Sequence, residues 1–226
     1  MYNEQMNNNK VYLRGTVVDT PVFSHEVFEE KFYEFSLKVP RLSESFDYVP
    51  VTISERLMDN SFIAGKEITI NGQFRSYNKQ VDGKSKLVLT VFAREVLEND
   101  ELINPNTIEL DGFVCKEPIF RTTPFKREIC DVLVAVNRAY NKSDYIPCIA
   151  WGRNARFVKD IKVGERVKVF GRIQSREYQK RFSADDIETK VAYEISISKI
   201  STQEESIQNV APFERESQSQ KLASSK

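Results

Sequence analysis

The sequence predicts an all-β chain of two tandem small barrels, and three observations lead there. The second half repeats the first: Gly15 pairs with Gly112 at an offset of 97, as do Pro21 with Pro118, Phe23 with Phe120, and Tyr48-Val49-Pro50 with Tyr145-Ile146-Pro147. Beyond the third strand the offset becomes 99, because Gly65 pairs with Gly164 and Gly72 with Gly171. Each copy also carries strand-like runs with period-2 apolar residues, and a short connector with helix-like spacing ends at a glycine in both.

The elements follow in the same order in both copies. A first strand holds Val11, Leu13 and Val17, or Ile108, Leu110 and Val114, with a glycine where a closed barrel needs a tight corner. A loop with Pro-x-Phe comes next. The second strand covers Phe32–Val39 or Val132–Val136, and the third Tyr48–Ile53 or Tyr145–Trp151. The connector (Leu57, Met58, Phe62; Ala155, Val158, Ile161) ends at Gly65 or Gly164, glycine being favoured just past a helix end. Two more strands follow, joined in the first copy by an Asp82-Gly83 turn and in the second by a longer mobile loop, KRFSADDIE at 180–188. Five strands with one short helix between strands 3 and 4 is the plan of the oligonucleotide-binding barrel, or OB-fold. The expected layout is a disordered start at 1–9, a first barrel at 10–98, a polar linker at 99–106, a second barrel at 107–200 and a disordered Ser/Gln/Glu-rich tail at 201–226.

Composition narrows the function. The chain has 226 residues and is 40% hydrophobic, enough for a core in each half. Its start, MYNEQMNNNK, is polar, so neither a leader nor a membrane anchor is expected there, and the expected location is cytoplasmic. Cys115, Cys130 and Cys148 lack a CxxC pair and read as small buried hydrophobes. The lone His25 lies in a polar stretch, and no carboxylate cluster, metal-ligand spacing or phosphate-cradling loop is present, so no catalytic residue, metal or cofactor is expected. Net charge is zero but unevenly spread: residues 1–105 carry −4, 106–200 carry +5 and 201–226 carry −1.

The positive charge falls on a patterned surface. In the third strand of copy two, Ile146, Cys148 and Ala150 alternate with Tyr145, Pro147, Ile149 and Trp151, which puts the large aromatics outside. In the fourth, Val167, Val169 and Ile173 form an inner row, and Arg166, Lys168, Phe170, Arg172, Gln174, Arg176 and Tyr178 an outer one. Cations track phosphates while flat rings stack on the unpaired bases of a single strand. A solvated barrel face explains the cations alone, not the aromatics beside them.

Copy two resembles the bacterial single-stranded-DNA-binding protein (SSB) family through FRTTPF at 120–125, VAVNRAY at 134–140, DYIPCIAWGR at 144–153 and VGERVKVFGRIQSREY at 163–178. The resemblance implies base stacking by Tyr140, Tyr145, Trp151 and Tyr178. With the outer-row cations, it makes Arg138, Arg153, Lys168, Arg172 and Arg176 the phosphate-binding candidates. It further implies a homodimer carrying four OB barrels, bound to single-stranded DNA in replication, recombination or repair near the nucleoid. Copy one resembles the family in scaffold only: Ser43, Ser54 and Lys79 stand where copy two has Tyr140, Trp151 and Tyr178. Weaker contacts are expected from Tyr48, Arg75 and Tyr77, with copy one mainly building the assembly. Family tails often end in an acidic Pro-Phe tip that recruits replication and repair proteins. Here Pro212-Phe213 is internal and the end is basic, which also leaves open an adaptor like primosomal replication protein N, in which protein contacts dominate.

Overall fold

The computed structural model describes residues 7–59, 62–81, 83–97, 104–181 and 187–202. In the first half, β1 (Asn9–Val17), β2 (Val22–Val27), β3 (Glu30–Pro40) and β4 (Phe46–Ser54) precede a 3-10 turn at Glu55–Leu57, then β5 (Glu67–Val81) and β6 (Lys84–Leu97). The second half repeats this with β7 (Asn106–Val114), β8 (Ile119–Thr122), β9 (Glu128–Arg138), β10 (Lys142–Trp151), α1 (Arg153–Val158), β11 (Arg166–Arg181) and β12 (Ile187–Thr202).

Each half closes on itself. In the first, β1 pairs with both β5 and β3, β3 with β4, and β4 runs parallel to β6, which returns to β5. The second is built identically, with β7 joining β9 and β11. Closure brings backbones close at the expected glycines: a Cβ on Gly15 would lie 2.5 Å from the Lys38 carbonyl oxygen, and one on Gly112 2.5 Å from that of Ala135. Only glycine fits between those strands. Leu13, Leu37, Ile53, Ile70 and Phe74 fill one barrel, and Leu110, Ile146, Ile173 and Ile195 the other, as the alternation required.

The five expected strands are present in each half, with a sixth beside them. The Pro-x-Phe segment is not a loop: β2 and β8 pair with β3 and β9 at the two edges of the sheet. They lack a buried face, so no period-2 signal marks them. The connector is a short α-helix in the second half but a single 3-10 turn in the first. Ser54 Oγ accepts from the Arg56 amide in that turn at 3.2 Å, whereas Gly152 enters α1 at φ +53°. At the expected Asp82-Gly83 turn, Val81 faces Lys84 and Gly83 has φ +71°, while Asp82 lies outside the described residues.

The two barrels are joined edge to edge. β1 pairs antiparallel with β7, and Val11 faces Ile108, its own repeat equivalent, so a local two-fold passes through that pair. The expected boundaries shift accordingly. Asn9, assigned to a disordered start, and Asn106, assigned to a linker, are both buried in strands, and β12 runs on to Thr202. The reason is local. Where β1 leaves β5 for β7, Asn9 takes over the ladder: Nδ2 donates to the Phe74 carbonyl at 2.8 Å, and Oδ1 accepts from its amide at 2.9 Å. Asn106 does the same with Ile173, at 2.7 and 2.9 Å. The expected mobile loop at 180–188 and the tail lie mostly outside the described residues. Among these, no helix is long and apolar enough to cross a membrane.

Candidate nucleic-acid interface

The outer face of β10, β12 and β11 forms one continuous surface in barrel two. Ser196 on β12 lies between Ile149 on β10 and Arg172 on β11, and Tyr178 faces Lys190 on β12. Period 2 therefore brings Tyr145 and Trp151 to one margin of this surface and Tyr178 to the other. Between them β12 contributes Ala192, Glu194 and Ser196, opposite Arg176, Gln174 and Arg172 of β11. Tyr145, Trp151 and Tyr178 are exposed by 47, 39 and 39%, and Tyr140 by 87%. Tyr140 stands at the tip of the β9–β10 hairpin with φ +62°, followed by Asn141 at +52°. A left-handed tyrosine is uncommon and marks a position worth a functional reading.

The candidate cations divide into two groups. Arg153, Lys168 and Arg176 are exposed. Arg176 also lies 3.5 Å from Glu194 Oε1, with its guanidinium 5.9 Å from the Tyr178 ring centre.

Arg138 and Arg172 are instead committed to the joint between the barrels. Arg172 Nη1 donates to the fully buried Asp47 of barrel one at 2.8 Å; the same carboxylate accepts from Arg41 Nη2 at 2.6 Å and from the Ser175 amide at 2.8 Å. By the local two-fold, Asp144 of barrel two accepts from the Ser76 amide of barrel one at 2.8 Å and, more weakly, from Arg138 at 3.4 Å. Burial raises the Asp144 carboxyl above the usual carboxylate range, against the pull of the Ser76 amide, Arg138 and Arg75. Arg172 thus acts as a strut rather than a free phosphate ligand. Two further outer-row positions differ from expectation: Gln174 is buried, its Nε2 donating to Glu194 at 2.7 Å, and Arg166 forks onto Asp111 at 2.7 and 3.0 Å.

Beside Trp151 lies a cleft of about 470 Å³ that strand periodicity does not reveal. It is lined by Thr122, Lys126, Arg127 and Glu128 together with Trp151 and Gly152. Lys126 and Arg127 come from the β8–β9 turn, in which Thr123 Oγ1 accepts from the Arg127 amide at 3.0 Å. Phe125, in the same turn, is 86% exposed. The signal for this turn is FRTTPF followed directly by Lys126-Arg127, basic residues that belong to no strand row.

Residues 105–203, the second barrel, match the Single-strand binding protein family. Over these residues the chain is similar to that family. Curated relatives include single-stranded DNA-binding protein A of Bacillus subtilis, 33% identical over 81 residues, and single-stranded DNA-binding protein 1 of Staphylococcus aureus, also 33% identical over 81. Each alignment covers 33% of this chain and 47 or 48% of the relative, so the chain spans about half the length of the curated relatives it matches. The fold of both barrels matches the wild-type single-stranded DNA binding protein of Thermus aquaticus at TM-score 0.67, with 18% identity, over 86% of this chain and 92% of that one.

In barrel one only Tyr48 keeps an aromatic at the four matched positions, which gives a different surface. Tyr48 and Tyr77 are exposed by 47 and 41%, while Arg75 is half-buried, stacked on the Phe92 ring at 3.8 Å. Cys130 and Cys148 are buried and Cys115 half-buried, and burial raises all three thiols, Cys130 to about 11. No group of His, Cys, Asp and Glu among the described residues could hold a metal ion.

Proposed function

We propose that this protein binds single-stranded DNA without sequence preference, through the outer face of barrel two, and makes or breaks no bond. Tyr140, Tyr145, Trp151 and Tyr178 stack on bases, while Arg153, Lys168 and Arg176, joined by Lys126 and Arg127, pair with phosphates. The observation that carries this reading is the grouping of the exposed rings of Tyr145, Trp151 and Tyr178 with exposed cations on and beside one sheet face. The similarity of the same barrel to the single-strand binding protein family supports it. Stacking plus charge favours strands whose bases are free, so an oligo(dT) should bind with strong salt dependence and a duplex of equal length far more weakly. A salt-titrated assay comparing single-stranded DNA, duplex and RNA tests this, and equal affinity for duplex would overturn it.

The working assembly is a homodimer of four barrels, since two barrels per chain make half of the four the resemblance implies. Light scattering at micromolar concentration is expected to give a dimer mass; a monomer mass would refute it.

A further inference from the structure

The outer face of barrel one holds a cavity of about 580 Å³, reached by Arg138 from the other barrel. Its origin is a change of residues at matched positions. In barrel two, Gln174 lies across from Glu194 and donates to it, so a carboxylate sits opposite, 3.5 Å from the neighbouring Arg176. In barrel one the same cross-strand pair is Arg75 and Thr90, a cation with no carboxylate opposite.

Arg75 is poorly satisfied there. Nη2 donates to Gln73 Oε1 at 2.9 Å, but Nε is buried and has no hydrogen-bond partner among the described residues. Burial, then repulsion from Arg138 and Arg94, lowers its pKa to about 10. The nearby acids are already engaged: Asp144 by Ser76 and Arg138, and Glu34 by Ser24 Oγ at 2.7 Å and by Tyr77. With those acids engaged, Arg75, stacked on Phe92 at 3.8 Å, and Arg138 bring two guanidiniums to the cavity wall, a concentration of positive charge that an anion in the cavity would offset.

We propose that this cavity is a phosphate site at the joint between the barrels, in which Arg75 and Arg138 together hold a backbone phosphate of the bound strand. The strand part of this proposal rests on the function argued above; the phosphate chemistry does not. Arg138 then links the two barrels as well as their ligand, and barrel one contributes a buried contact rather than a surface stack.

The test follows the Arg75 Nε–Hε resonance in the full chain on titration with inorganic phosphate, dTMP and a long oligo(dT), while Trp151 fluorescence reports barrel two. A shift with all three is expected. Arg75→Gln should weaken oligo(dT) binding about tenfold, one charge-assisted hydrogen bond, and lower the salt slope by about 0.7. A shift with phosphate or dTMP but not with oligo(dT) would overturn the strand as the source. No shift with any of them, alongside quenching of Trp151, would overturn the pocket and leave barrel two's reading intact. A shift with phosphate, while oligo(dT) leaves Trp151 unquenched, would do the reverse.

Discussion

The two barrels share a scaffold and differ most beside the end of their fourth strands, β4 and β10. In barrel two that corner holds Trp151, Lys126 and Arg127 around an open cleft. At the matched positions barrel one has Ser54, Glu29 and Glu30, and Ser54 Oγ donates to Glu30 at 2.5 Å. An aromatic between two cations has become a hydroxyl tied to a carboxylate. Inner rows are alike in both because closing a barrel needs the same volumes, while the outer rows are free to diverge and carry the function.

The joint between the barrels is where the comparison can be broken with the largest effect. Asp47→Ala would strand Arg41, Arg172 and the Ser175 amide, and is expected to cost about 3–5 kcal/mol in urea unfolding followed by circular dichroism. Asp144→Ala removes a looser set, with Arg138 at 3.4 Å, and should cost about 1–3 kcal/mol. Equal losses would refute the asymmetry.

Stacking comes next. Trp151→Ala should weaken oligo(dT) binding by about 1–3 kcal/mol, whereas Tyr48→Ala in barrel one should change it by less than about 0.5. Comparable losses would make the barrels equal binding partners. In the Trp151 cleft, Lys126→Gln with Arg127→Gln should lower the salt slope by about 0.7 for each cation removed; an unchanged slope would take the β8–β9 turn out of the interface.

The smallest effect concerns pH. Because the Asp144 carboxyl is raised in the folded state, folding binds its proton more tightly than the unfolded chain does. Asp144 therefore contributes nothing below the usual carboxylate range. Its cost grows as pH climbs from that range to its higher folded value and is complete above it. Asp144→Asn should flatten this decline in stability measured across mildly acid pH, and an unaltered profile would reject it.

Much of the fold could be read from local pattern. The repeat offset of 97 anticipates the facing pair Val11 and Ile108, and the inner rows at Ile146, Cys148, Ala150, Val167, Val169 and Ile173 are buried as alternation requires. The edge strands β2 and β8 escaped because neither buries a face. Gln174 was misplaced because alternation tells which side of a strand a residue takes, not what covers that side.

By itself, then, the sequence determined the two-barrel plan, the closing glycines Gly15 and Gly112, and the outward placement of Tyr145, Trp151 and Tyr178, since these depend on neighbours within one strand. Only the tertiary structure decided the fate of the arginines. Arg172 meets Asp47 across 125 positions of chain, and Arg138 reaches a cavity built by barrel one. Guanidiniums in one row look alike in sequence. Which of them meets a ligand and which a buried carboxylate depends on the partners that the β1–β7 pairing brings near.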